Sequence, residues 1–69
     1  MKNFETIVNF LYQKFVDTYY VDEEEITYLK DIIKTECNRG EISNEVADKL
    51  ISELDNLYNM YIESVKNNY

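Results

Sequence analysis

The sequence contains no histidine, no proline and no tryptophan, and it has one cysteine, Cys37, and one glycine, Gly40. Each absence closes off a class of chemistry. Without histidine there is no histidine-based catalytic triad and no ordinary structural zinc site. A single cysteine cannot form an intrachain disulfide. A single glycine cannot build the glycine-rich loops that cradle nucleotides. Cations are scarce as well, with 7 Lys+Arg against 14 Asp+Glu and a net charge of −7. That charge repels phosphate backbones and anionic lipid, so direct nucleic-acid binding and membrane binding are not expected. No apolar run is long enough to span a bilayer, and no signal-peptide core follows the start. The expected location is cytoplasmic, and a lone free thiol suits a reducing compartment.

What is present has its own bias. Asn, Ile, Lys and Tyr are abundant, while Ala and Arg occur once each. Such a mix follows from A/T-rich codons and points to a low-GC bacterium or one of its phages or plasmids. At 69 residues the chain is one small domain, and such a chain buries only about 60% of its unfolded surface. Domains of this size usually need a disulfide, a metal or a second chain. With the first two excluded, association is expected, as a homodimer.

The hydrophobic spacing predicts three helices over about residues 4–20, 23–39 and 44–67, an all-α three-helix bundle with a long last helix. Asn3 is the expected N-cap of the first helix, whose apolar face is Phe4, Ile7, Val8, Leu11, Phe15 and Tyr19, widened by Tyr12. Asp22 followed by Glu25 reads as a capping box, and Val21 with Ile26 as a hydrophobic staple. Ile26, Leu29, Ile32, Ile33 and Cys37 form the stripe of the second helix, and Gly40 is placed to end it. Cys37 on that stripe is expected to be a buried structural thiol. Ser43 is the expected cap of the third helix, centred on Val46, Leu50, Leu54, Leu57 and Tyr61. Frayed ends are expected at Met1–Lys2 and Asn67–Tyr69.

Two sets of residues exceed what the fold needs. The stretch DTYYVDEEEITYLK sets tyrosines against an acidic run. Capping explains Asp22 and Glu25, which leaves Tyr20, Glu23, Glu24 and Tyr28 as candidates for a protein partner. The polar face of the third helix adds Glu45, Asp48, Asp55 and Glu63. Asp48, Asp55 and Glu63 have no lysine four residues on, so that face reads as unbalanced acid and could imitate a row of phosphates. The acidic run lacks the spacing of an EF-hand, so no metal is expected. The apolar surplus is Phe10, Val16, Met60, Tyr61, Ile62 and Val65, the expected self-association surface. With no cofactor motif and no room for a cleft, a catalytic role is not expected. The sequence thus suggests a small acidic protein-interaction module, an inhibitor or regulator from a phage or mobile element. Its partner would be a larger protein with a basic surface, of the kind that handles nucleic acid. A self-assembling homodimer and an antitoxin- or immunity-type binding protein are the alternatives.

Overall fold

A computed structural model describes residues 3–67. They form α1 (Phe4–Thr18), α2 (Glu23–Asn38) and α3 (Asn44–Asn67), with no strand among the described residues. The expected frayed residues Met1, Lys2, Asn68 and Tyr69 lie outside that range, whereas Asn67 is helical. The chain runs up, down and up, so the end of α1, the start of α2 and the end of α3 meet at one pole. The α2–α3 loop and the start of α1 make the other pole. The molecule is a rod of 43 × 18 × 17 Å, and α3 is the element that packs closely on both neighbours.

Local chemistry sets the boundaries. Asn3 Oδ1 accepts the Thr6 amide at 3.1 Å, Asp22 Oδ1 accepts the Glu24 amide at 3.0 Å, and Ser43 Oγ accepts the Val46 amide at 3.2 Å. Each satisfies a donor that the first helical turn leaves open. The Asp22 bond goes to the second residue of α2 rather than to Glu25, so the cap is a simple one. Val21 and Ile26 are both buried, as a staple requires. At the far end of α2, Gly40 adopts φ 80°. Its amide bonds to Cys37 O at 3.0 Å while the Glu41 amide reaches back to Glu36 O at 2.9 Å. This pair of bonds is a Schellman motif.

One contiguous core fills the rod. Phe4, Val8, Leu11 and Phe15 come from α1, Val21 from the turn, Ile26, Leu29 and Ile33 from α2, and Ala47, Leu50, Leu54 and Leu57 from α3. Tyr12 crosses from α1 and donates its hydroxyl to Glu53 O at 2.7 Å. Among the described residues no buried side-chain polar atom lacks a partner. No described helix is long and apolar enough to cross a membrane.

Three core assignments are corrected. Helix α1 stops at Thr18, so Tyr19 leaves the helical wheel: it sits at φ 57° and is 71% exposed. Val46 is 46% exposed because it stands where the first turn of α1 leaves α3 uncovered. Cys37 is half-buried rather than buried, with its thiol 2.9 Å from Asn44 Oδ1 at the loop.

Candidate protein-interaction site

Chain reversal brings distant tyrosines together at the pole where α1 and α3 end. The Tyr20 ring, in the α1–α2 turn, meets Tyr61 edge-on with centroids 5.8 Å apart. Tyr61 also touches Phe15 at 6.5 Å and Tyr58 at 6.3 Å. Tyr19 packs edge-on against Phe15 at 6.4 Å while most of its surface stays in water. Edge-on aromatic pairs of this kind add about 0.5–1.5 kcal/mol each beyond the area they bury. Tyr61 was expected to be uncovered and available for self-association. It is instead half-buried inside this cluster, because the turn folds Tyr20 over it.

The turn itself is held by small hydrogen bonds. Thr18 Oγ1 donates to Lys14 O at 2.7 Å and accepts the Tyr20 amide at 3.3 Å, while the Tyr19 amide bonds to Phe15 O at 2.7 Å. These contacts keep Tyr19 left-handed, a conformation that costs a non-glycine residue about 1–2 kcal/mol.

Acid surrounds the cluster. Asp17, Asp22, Glu23, Glu24 and Glu25 fall within residues 15–29, a stretch without lysine or arginine. Glu23 and Glu24 are exposed, as expected for partner-facing residues. Partial burial, and after it the neighbouring Glu23 carboxylate, raise the Tyr58 phenol above its ordinary value, with a further push from Tyr61. Glu23 thus stands near enough to Tyr58 to act on its phenol across the α2–α3 boundary. Lys14 lines the same small crevice as Asp22 and Glu25, yet the ion pair found among the described residues lies elsewhere.

The remaining candidates are dispersed. Tyr28 is 66% exposed on α2, a turn away from the cluster, and touches none of its rings. Glu45, Asp48, Asp55 and Glu63 are exposed along α3. Asp55, however, pairs with Lys30 of α2, a partner that spacing within α3 cannot reveal. Lys49 and Lys66 share the exposed surface of α3, so it carries mixed charge. Of the expected self-association residues, Phe10 and Val16 lie on opposite flanks of α1, Met60 is exposed, and Ile62 and Val65 are half-buried. They do not form one patch. Among the described residues no group of three or more metal-capable side chains converges. Comparison with models of known families, with curated proteins and with solved structures found no match.

Proposed function

We propose that the protein is a small acidic interaction module, and that it docks the tyrosine-rich pole onto a basic surface of a larger protein. The observation that carries this reading is the convergence of Tyr58 and Tyr61 of α3 with Tyr19 and Tyr20, which lie in the acidic stretch 15–29 that contains no lysine or arginine. Tyrosine supplies large contact area at low entropy cost, and carboxylates steer and orient a basic partner. Arginine is the favoured counterpart, since its guanidinium can lie on a tyrosine ring while bonding to a carboxylate. Occupying such a surface is how an inhibitor or regulator acts, and the codon bias fits a phage or mobile element as its source. A basic surface is also what a nucleic-acid-handling protein presents.

Affinity capture from a low-GC host, at low and at high salt, tests the reading. A specific partner should release as salt rises, because exposed charges are screened over about 10 Å at 0.1 M. Glu23→Lys with Glu24→Lys should weaken its binding about tenfold or more while leaving the helical signal intact. The same change at the opposite pole, Glu41→Lys with Glu45→Lys, should leave binding nearly unaltered. A partner indifferent to both pairs and to salt would rule out this surface.

A further inference from the structure

The groove between α1 and α3 runs the length of the rod without a covering element. It has two open sections end to end, of about 500 and 490 Å³. The first lies around Phe4, Val46 and Leu50 and reaches Glu53; the second begins one turn later at Asn56 and holds Met60. Val16, one turn beyond Tyr12 on the same edge of α1, is 59% exposed. The apolar side chains left open on this side are thus Val16, Val46 and Met60, all along one seam.

Glu5 and Glu53 also line the first section, and the outer row of charges on α3 follows an order. Lys49, Asn56 and Glu63 are spaced by seven residues, so they form one stripe along α3, and all three are exposed. The stripe reads positive, neutral, negative. Asn56 is fixed at its centre by bonds from its amide nitrogen to Tyr12 Oη at 3.2 Å and to Met60 Sδ at 3.8 Å.

We infer that a second copy of this chain covers the seam, antiparallel, with the two Asn56 side chains at the two-fold axis. Only that orientation sets Lys49 opposite Glu63 of the second copy, twice by symmetry. A parallel pair would oppose like charges at each of these positions. It would also stack two acidic poles, whereas the antiparallel pair places them at opposite ends. A polar asparagine at the centre of a helical interface sets register in the same manner as in coiled coils. One long side of the rod, 43 × 18 Å, offers a footprint of roughly 800 Å², about the share each partner contributes to a standard-size interface. The inference is independent of the partner site, and the resulting dimer would carry one tyrosine-rich pole at each end.

Sedimentation equilibrium of the full chain over a wide concentration range is the test, with far-UV circular dichroism to confirm that each variant folds. The wild type is expected to dimerise. Lys49→Glu and Glu63→Lys should each raise the dimer Kd about tenfold or more, because each creates two like-charge pairs at once. Combined in one chain, the two reversals should restore dimerisation. In a Cys37→Ser background, Asn56→Cys should cross-link on mild oxidation and Glu63→Cys should not. A chain that stays monomeric, a dimer insensitive to the reversals, a double variant as weak as the singles, or cross-linking through Glu63→Cys would each overturn the inference.

Discussion

The two poles of the rod solve the same problem, reversing a helix into the next, with different materials. At the loop pole a glycine takes the left-handed position, a Schellman motif closes α2, and positive and negative side chains are interspersed. At the turn pole a tyrosine takes the left-handed position, four tyrosine rings gather, and acids stand without cations in the chain around them. The first is what stability alone selects, because glycine adopts a positive φ without a steric penalty. The second holds strain and an excess of acid, with Lys14 the cation beside Asp22 and Glu25. A small domain has little stability in reserve, so the left-handed tyrosine draws on it where the glycine does not.

The largest expected effect concerns the core beneath each pole. Leu57 is fully buried under the turn, where it lines a crevice with Tyr20, Val21 and Ile26. Leu50 is nearly as buried but borders the open groove beside Phe4 and Val46. Truncating a buried leucine costs about 2–5 kcal/mol, and the cost grows with the cavity that remains. Measured on the monomer, at concentrations below the dimer Kd, Leu57→Ala should fall in the upper part of that range and Leu50→Ala near its lower end, where solvent can fill the space. Urea melts followed by circular dichroism would rank them. Raising the concentration into the range where a second copy covers the groove should then increase the cost of Leu50→Ala and leave that of Leu57→Ala unchanged.

A smaller effect separates the two left-handed residues. Gly40→Ala should cost about 1–2 kcal/mol through backbone strain alone, since nothing lies within 4 Å of the added carbon. Tyr19→Gly relieves the same strain and loses the contact with Phe15, worth about 0.5–1.5 kcal/mol. The two terms nearly cancel, so stability should barely change. If thermal melts show Tyr19→Gly losing as much as Gly40→Ala, Tyr19 is a structural residue and the contrast between the poles fails.

What the sequence revealed and what it concealed divide along the same line. Asn3, Asp22, Ser43 and Gly40 act within a few residues of themselves, so their roles follow from local rules. The apolar stripes are likewise local, and they located three helices and most of the core. Tyr19 escaped because one left-handed residue resets the direction in which the next side chains point, and a helical wheel has no place for it. The ion pair of Lys30 with Asp55, and the influence of Glu23 on the Tyr58 phenol, join residues far apart in the chain. Such contacts depend on how the helices align lengthwise, which periodicity leaves open. The candidate site was therefore half legible: its acids and Tyr20 stood out, but their union with Tyr58 and Tyr61 is a product of the fold.

The smallest effect tests that union directly. In the fold, burial and the Glu23 carboxylate both disfavour the ionised Tyr58 phenolate, which raises its pKa above the ordinary 10.0. The unfolded chain then releases this proton at a lower pH than the folded chain does. The contribution to stability is complete below about pH 10 and is lost as pH rises through the raised folded value. Ultraviolet titration of tyrosinate, taken as the difference between wild type and Tyr58→Phe, would isolate this one phenol. Glu23→Gln should bring its titration part of the way back towards the ordinary value, since the contribution of burial remains. It should also reduce the loss of stability in alkali. Glu45→Gln, at the pole without such a cluster, should do neither. If Glu23→Gln leaves the difference titration unchanged, the carboxylate does not sit against Tyr58 in solution, and the acidic run and the tyrosines are neighbours in sequence rather than one surface.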